Sequence, residues 1–517
     1  MASRKPWAVL AYMVAEDPEH GVPLDPIATD EKNRLLALAD RHAAQMHVAV
    51  QVDFSETDGV LRQLAGHAPE RRAETIASDP RVLTEFMNWA IDNCPAERYL
   101  LLFWGHSFGT AGLFPDGTPG NTTLEERLSL SDLAYAVRYA GSKIGVDRGD
   151  SKVDILLFKN CCMSTLETAY ELQGAASYMI ASQGLVPVKD WPYERMLDVL
   201  DSRPTESSAA GILGELGRFY EDPKNRGDQD EVPYSLVNIN RARAIGEPLG
   251  KLVKKLIAAR RRQNSASRDA LFEASHDSPG DAALLDLGIM CSNLEEVGEP
   301  LALAASDVDR AVRQMVVDHR PVTDLLLHGL SIFYFPADPS VRAKSIVAPL
   351  VFAGDYQRLR LCLATEWDRI ACERIPGFEL LSQSGLSERS GTMGDRDGKG
   401  INFGQLTNAS KQVLSDIRSL QQFVGRLTTA VTQSNDPANA LENFESRQGI
   451  GIRAFATDLQ STVSNLRANM DVLESTIEGG LPEESKRYDR RAADSQPKRR
   501  EPADTSIAHG RDMRLGE

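Results

Sequence analysis

The stretch that most constrains the fold is VDILLFKNCC, residues 153–162, in which an apolar run leads into a polar turn and two adjacent cysteines. Similar apolar runs occur at 7–14, 48–52 and 99–104, with amphipathic helical patterns between them, for example at 31–44. Continuous apolar runs are typical of parallel strands that are covered on both faces. The alternation of strands and helices therefore predicts an α/β fold, with a mostly parallel sheet between two layers of helices.

Composition and periodicity divide the chain into five consecutive segments. Strand patterns continue at 234–239 and 329–336, whereas Ser, Gly and charged residues dominate after about residue 382. Two stretches with apolar residues at helical spacing follow, and the C-terminus is highly charged with almost no apolar content. We interpret the segments as a core, its continuation, a flexible linker, a helical hairpin or short coiled coil, and a disordered tail, at 1–240, 241–378, 379–404, 405–478 and 479–517.

The overall composition excludes several classes of protein. Of the 517 residues, 42% are hydrophobic, which is enough for a core, and the net charge of −16 disfavours nucleic-acid binding. No apolar run approaches the ~20 residues of a membrane span, and no signal peptide precedes the first strand. The six cysteines contain no CxxC pattern and are too few for a disulfide scaffold. We therefore expect a soluble, cytoplasmic protein that binds neither nucleic acid nor membrane.

One candidate site is the pentapeptide GHSFG, residues 105–109, directly after the strand at 99–104. It matches the G-x-S-x-G turn of α/β hydrolases, with Ser107 as the nucleophile. That turn must lead into a helix, but the next eleven residues contain three glycines and two prolines. The hydrolase interpretation is therefore an alternative rather than the favoured prediction.

The favoured site pairs His106 with Cys161. Each follows a predicted strand, and the carboxyl ends of parallel strands share one edge of a sheet, where sites form. A cysteine next to a histidine is the arrangement that thiol catalysis requires. The following Ser-Thr-Leu-Glu, residues 164–167, fits a capping box, so we expect a helix N-terminus that favours the Cys161 thiolate. We interpret Cys162 as a packed cysteine.

These segments resemble the clostripain-like cysteine peptidases, which have a caspase-like fold. The resemblance covers roughly residues 5–355. Its segments follow the family's order, and the most specific is the cysteine strand and helix. They are WAVLAYM at 7–13, LFWGH at 102–106, FKNCCM at 158–163, LETAYEL at 166–172, ASQ at 181–183, WPY at 191–193 and GLSI at 329–332.

The resemblance implies a cysteine endopeptidase that acts on protein substrates. Cys161 attacks the scissile carbonyl, and His106 transfers protons. The backbone N–H groups of Cys161 and Ser107 form the oxyanion hole, although the family usually has glycine at the position of Ser107. The residues themselves indicate no cofactor and no metal, whereas the resemblance allows calcium.

Charged residues near the expected specificity pocket depart from the family pattern. Lys159 stands where the family commonly has aspartate, and Lys189-Asp190 replaces the usual Asp-Gly. Lys159 favours an acidic P1 residue if it points inward, and its alternative is a stem along the sheet edge with the ammonium in solvent. Asp190, or Glu16 with Asp17 after the first strand, restores a basic preference. We expect Arg or Lys at P1, weakly favoured over acidic residues.

The resemblance also implies a zymogen that is activated by self-cleavage or by another protease. The matching segment, 141–152, is polar and glycine-rich, and we interpret it as an accessible loop with candidate cut sites at Lys143, Arg148 and Lys152. The C-terminal helices are expected to bind a second copy or a partner, or to inhibit. Such an architecture fits a bacterial defence or cell-death cascade. A catalytically inactive scaffold is the remaining alternative.

Overall fold

The computed structural model describes most of the chain up to Ile375. The described residues are 4–16, 24–55, 59–73, 75–116, 127–148, 152–188, 191–200, 204–227, 229, 231–320, 327–336 and 338–375, and of 145–148 only the backbone is described. The predicted linker at 379–404, helical hairpin at 405–478 and tail at 479–517 lie outside these residues. The division into segments at 240 and 378 stays a prediction.

Among the described residues, nine strands form one sheet and two form a second, small sheet. The strands are β1 Lys5–Val14, β2 Met46–Asp53, β3 Val60–Leu64, β4 Glu70–Arg72, β5 Ala96–Trp104, β6 Val153–Lys159, β7 Ala176–Ser182, β8 Tyr234–Asn238, β9 Leu284–Asp286, β10 Val316–Arg320 and β11 Ser331–Phe333. The large sheet has the order β10-β8-β7-β6-β5-β1-β2-β3-β4. Its five central strands, from β7 to β2, run parallel, as predicted, and the outer strands pair antiparallel.

The described α-helices connect these strands and cover the sheet. They are α1 Asp25–Arg41, α2 Pro80–Asn93, α3 Leu130–Arg148, α4 Leu166–Glu171, α5 Tyr193–Asp198, α6 Thr205–Glu221, α7 Gly246–Arg261, α8 Ala266–Asp277, α9 Leu287–Glu296, α10 Leu301–Met315, α11 Pro339–Arg342, α12 Ala353–Tyr356, α13 Arg360–Thr365 and α14 Asp368–Ala371. Within this part of the chain, every helix is too short or too polar to span a bilayer.

The sheet separates two hydrophobic cores. Leu10 and Tyr12 of β1 belong to a core with α2 and α3, whereas Val9 and Met13 belong to a core with α1 and α6. Successive side chains of a strand point to opposite faces, so one continuous apolar run supplies both cores. This arrangement confirms the predicted three-layer α/β/α sandwich.

The two strands predicted at 234–239 and 329–336 pair differently from the central ones. The first, β8, runs antiparallel to β7. Of the stretch 329–336 only β11 is a strand, and it pairs with β9 in the small sheet. β11 also forms a backbone hydrogen bond outside the small sheet, since the Ser331 N–H donates to the Ser164 carbonyl at 2.9 Å. Strand patterns predict the elements here but do not fix the partners.

Helix α3 corrects the interpretation of 141–152 as an open loop. The helix continues through Gly141 and ends at Arg148. Ala140 and Ile144 lie four residues apart on one face of the helix, and both are buried in the core. Tertiary packing therefore outweighs the low helix propensity of glycine in this segment.

Candidate active site

The register of two neighbouring strands places His106 and Cys161 at the same level. β5 and β6 run parallel, and their last paired residues are Trp104 and Lys159. His106 and Cys161 each lie two residues beyond that pair. Adjacent strands are about 4.8 Å apart, so the two residues predicted to act together emerge side by side at the carboxyl edge of the sheet.

Gly105 allows the chain to turn between β5 and His106. Its φ is +138°, and a Cβ atom at this position would lie 2.5 Å from the carbonyl oxygen of Val14 in the neighbouring strand. Only glycine has neither the side-chain clash nor the restriction against positive φ. The sequence pattern marks this glycine, but its close approach to β1 is visible only in the structure.

Replacing Gly105 by alanine is expected to destabilise the protein by about 3 kcal/mol, because backbone strain and the clash with the Val14 carbonyl add. The measurement is urea unfolding. Gly66 is the matched control, since its φ is +75° and a Cβ added there would have no atom within 4 Å. Gly66→Ala incurs only the conformational cost, about 1 kcal/mol. Equal losses in the two variants would contradict the role given to the Val14 contact.

Cys161 is the only one of the six cysteines that is partly exposed to solvent. Its Sγ accepts a hydrogen bond from the Val186 N–H at 3.4 Å. Desolvation by the surrounding protein raises the pKa of the partly exposed thiol, and the Val186 hydrogen bond lowers it in part. Cys162 lies entirely in the core with its pKa raised well above the ordinary value by burial, and this confirms its interpretation as a packed residue.

The predicted capping box after Cys161 is wrong. The N-cap of α4 is Thr165, whose hydroxyl accepts from the Thr168 N–H at 3.2 Å. Ser164 instead contacts the Ser235 hydroxyl. Glu167 accepts hydrogen bonds from Phe333 and Tyr356. These partners are distant in sequence, and the six-residue α4 starts five residues after Cys161, so thiolate stabilisation by a helix N-terminus is not supported.

Glu167 gives a prediction for the pH dependence of stability. It is completely buried, and desolvation raises its pKa from 4.5 to about 7. The folded state therefore holds this proton more tightly than the unfolded state, so stability present below pH 4.5 is lost as the pH rises through 7, by about 3 kcal/mol. Glu167→Gln should remove this loss. In urea unfolding at pH 5 and pH 8, the variant should gain stability relative to the wild type at the higher pH, and parallel changes would contradict the prediction.

Ser107 is placed to supply a backbone N–H but not a nucleophile. Its side chain is only 2% exposed, and its hydroxyl donates to the Cys161 carbonyl at 2.5 Å. The turn leads into a three-residue 3-10 helix at Gly109–Ala111 rather than an α-helix. The α/β-hydrolase interpretation is therefore wrong.

Two backbone N–H groups remain available for the predicted oxyanion hole. Ser107 bridges Leu113, but the hydrogen bonds beside this bridge are made by the flanking residues, from Phe114 to His106 and from Phe108 to Gly112. Within the described part of the chain, the N–H groups of Ser107 and Cys161 donate no hydrogen bond. Both can therefore bind an oxyanion without losing an existing partner.

The sequence allowed two positions for the Lys159 ammonium, free in the pocket or exposed to solvent. The structure shows neither. Its Nζ lies 2.7 Å from Oε1 of Glu31 in α1, and both side chains are 1% exposed. The other carboxylate oxygen of Glu31 accepts from the Tyr193 hydroxyl, and the Lys159 Nζ lies 5.4 Å from the centre of the Trp191 ring. The charge of Lys159 is thus neutralised within an aromatic enclosure, as a buried cation requires.

The other residues predicted near the pocket are only partly described. Glu16 lies half-buried directly after β1 and Ala15. Asp17, Lys189 and Asp190 lie outside the described residues. Sequence reasoning missed Glu31, which looks like an ordinary charged residue of a helix, and Val186, which has no chemical signature of its own.

The predicted cut sites differ in their surroundings. Lys143 lies inside α3 and forms an ion pair of 2.7 Å with Asp92. Arg148 is the last residue of α3, and Lys152 precedes β6 with its Nζ 2.8 Å from the Asn240 side-chain oxygen. Proteases bind their substrates in extended form, so the helix disfavours cleavage at Lys143.

No group of three or more His, Cys, Asp or Glu side chains in the described ranges is arranged to hold a metal ion. The absence of a cofactor, like the calcium that the resemblance allows, stays a prediction.

A caspase-like sandwich with a cysteine and a histidine at the carboxyl edge of adjacent strands defines a class of cysteine peptidases. The chain belongs to the clostripain family of peptidases, C11, whose model matches residues 29–318. The protein is therefore a cysteine peptidase, as the sequence predicted. A comparison with curated protein sequences gives no match.

Solved structures of C11 proteases have a similar fold. One is a secreted C11 cysteine protease from Bacteroides thetaiotaomicron in complex with an irreversible peptide inhibitor, with 16% identity and a TM-score of 0.50 over 71% of this chain and 100% of that chain. Another, from the same organism and called iotapain, has 14% identity and a TM-score of 0.51 over 70% of this chain and 100% of that one. At this identity the likeness shows the fold, which confirms the predicted caspase-like architecture.

Proposed function

We propose that the protein is an endopeptidase whose catalytic dyad is Cys161 and His106. The observation that carries the proposal is the register of β5 and β6, which brings the only cysteine that is not buried to the same level as a histidine. Family membership supplies the reaction class. The two residues supply the nucleophile and the general base that this reaction requires.

In the proposed reaction, His106 takes the proton of the Cys161 thiol as the sulfur attacks the scissile carbonyl. Desolvation by the surrounding protein raises the pKa of the thiol and so favours its protonated form, which makes a proton acceptor such as His106 necessary. The N–H groups of Ser107 and Cys161 bind the tetrahedral oxyanion. The imidazolium then protonates the leaving amine, and His106 activates the water that hydrolyses the thioester.

We propose a preference for Arg or Lys at P1. A free charge on Lys159 would favour an acidic P1 side chain, but Glu31 neutralises this charge. Glu16, half-buried directly after β1, is then the described carboxylate nearest in sequence to the end of that strand, and a carboxylate at the pocket would attract a cationic side chain and repel an anionic one. Asp17 and Asp190 are further candidates from the sequence alone.

The test is a panel of fluorogenic peptides with Arg, Lys, Asp or Glu at P1, cleaved by the wild type and by Cys161→Ala. Cleavage after Arg and Lys that depends on Cys161 supports both parts of the proposal. Preferred cleavage after Asp or Glu supports the dyad and overturns the P1 preference. If no peptide is cut in a manner that depends on Cys161, the peptidase function fails and the inactive scaffold becomes the better explanation.

The proposal includes activation by cleavage between α3 and β6. Arg148 and Lys152 flank the junction, and both match the proposed P1 preference. Mass spectrometry of the wild type and Cys161→Ala after equal incubation tests it. Self-cleavage is indicated if fragments ending at either residue form in the wild type but not in Cys161→Ala. An external activator is indicated if these fragments form only after a second protease is added.

We further propose that residues 405–478 regulate the peptidase, as an inhibitory or recruiting segment in a cytoplasmic defence or cell-death cascade. The test inserts a site for a specific protease within 382–401 of the full chain and compares peptidase rates before and after the cut. A rate that rises on cutting supports inhibition, whereas equal rates overturn it and leave binding of a second copy or a partner.

A further inference from the structure

Two side chains join the loops that carry His106 and Cys161, and they do so reciprocally. Ser107, from the histidine loop, donates its hydroxyl to the carbonyl of Cys161 at 2.5 Å. Asn160, from the cysteine loop, donates its amide to the carbonyl of Gly105 at 2.7 Å. Each bond therefore runs from a residue next to one member of the dyad toward the other loop.

The two bonds begin where the sheet ends. The last paired residues of β5 and β6 are Trp104 and Lys159, and beyond them no backbone hydrogen bond joins the two loops among the described residues. Since the strand ladder stops there, the side chains of Ser107 and Asn160 continue the connection past the edge. We call this pair of hydrogen bonds the Ser107–Asn160 clasp.

Burial makes the clasp a defined connection rather than a surface contact. Ser107 is 2% exposed and Asn160 is 1% exposed. The Asn160 Oδ1 is also buried, and it has no hydrogen-bond partner in the described part of the structure. A buried acceptor without a donor is costly, so stability alone does not explain an asparagine at this position.

We propose that Ser107 and Asn160 are positioning residues, which fix the distance and orientation between His106 and Cys161. The inference rests on the proposed dyad and explains why the histidine loop carries Ser107 and the cysteine loop carries Asn160. Proton transfer from sulfur to imidazole requires hydrogen-bond geometry, and displacement of a reacting group by about 1 Å costs roughly 10²-fold in rate. Loss of either bond frees one loop from the other and disturbs this geometry.

The experiment compares Ser107→Ala, Asn160→Ala and the double variant with the wild type, in the full chain, on the best peptide of the P1 panel. Ser107→Ala keeps the backbone N–H of the oxyanion hole. Each single variant is expected to lower kcat by about 10- to 100-fold with KM changed less than about 3-fold. The kcat of the double variant should be little lower than that of the less active single variant, because both bonds fix the same geometry.

A second readout separates positioning from general stability. The rate of Cys161 alkylation by iodoacetamide is measured against pH, and the variants should shift its midpoint because the histidine no longer faces the thiol in the same geometry. Thermal unfolding midpoints should change little for Asn160→Ala, since the change also removes an unpartnered acceptor. Asn160→Leu, of similar volume, replaces the alanine variant if that variant does not fold.

The controls are Ser275→Ala and Asn293→Ala, whose side chains also donate to backbone carbonyls but lie in α8 and α9. Both should keep kcat within about 2-fold. If Ser107→Ala and Asn160→Ala do the same while Cys161→Ala and His106→Ala abolish cleavage, the clasp is overturned and the dyad stands. If Cys161→Ala cleaves like the wild type, the proposed function itself is overturned.

Discussion

Cys161→Ala should lower kcat/KM for peptide cleavage by about 10⁴-fold or more, because it removes the nucleophile and not a binding contact. Its stability should remain close to that of the wild type, since the Cys161 Sγ makes only weak hydrogen bonds with Val186. The measurements are initial rates on the preferred peptide and the midpoint of urea unfolding. A loss of activity explained by unfolding would contradict the assignment.

The adjacent cysteine is the matched control. Cys162 has the same side chain but is fully buried in the core, and its N–H donates to the Gly184 carbonyl at 3.0 Å. Cys162→Ala should destabilise the protein by about 1 kcal/mol through lost packing and should retain cleavage. The opposite pattern in the two variants would identify Cys162 as the nucleophile.

The second large effect concerns the buried ion pair of Glu31 and Lys159. Glu31→Gln is expected to destabilise the protein by about 3–5 kcal/mol, because Lys159 then keeps a charge at a 1% exposed position without a carboxylate beside it. Urea unfolding of the wild type and variant at neutral pH measures this difference. The same variant should lower activity through loss of folded protein at elevated temperature.

Two further variants separate the charge pair from other effects. Glu31→Gln combined with Lys159→Met should recover much of the lost stability, since no buried charge is then left unpaired and the other charged partner of Glu31, Arg34, is 39% exposed. Glu247→Gln removes a carboxylate at the same distance, 2.7 Å, from Lys251, but on the exposed surface, and it should leave the unfolding midpoint unchanged. Equal losses in the two single Glu variants would show that burial does not determine the effect.

Much of the central fold is predictable from apolar runs. The run at 153–158 predicts β6, and the run at 99–104 predicts most of β5, because strands covered on both faces need apolar residues at every position. The predicted loop at 141–152 was wrong in its first part, which is the second half of α3. The glycines at 141 and 145 locally favour a loop, whereas burial of Ile144 against the core stabilises the helix.

The candidate site is likewise predictable from the sequence only in part. His106 and Cys161 are predictable because each closely follows a strand, and parallel pairing brings such positions together. The polar residues around them are not predictable from their neighbours in sequence. Ser164 and Glu167 fit a local capping box, yet both side chains bind partners more than 70 residues away.

The amino-acid sequence alone predicts the strand–helix order, the parallel sheet and the identity of the two residues proposed to react. These follow from the periodicity of side chains along the backbone, which is a local property. The partner that neutralises Lys159 is visible only in the folded protein, since Glu31 lies 128 residues away in the chain. A buried charge must find a partner, and packing, rather than local sequence, brings that partner within reach.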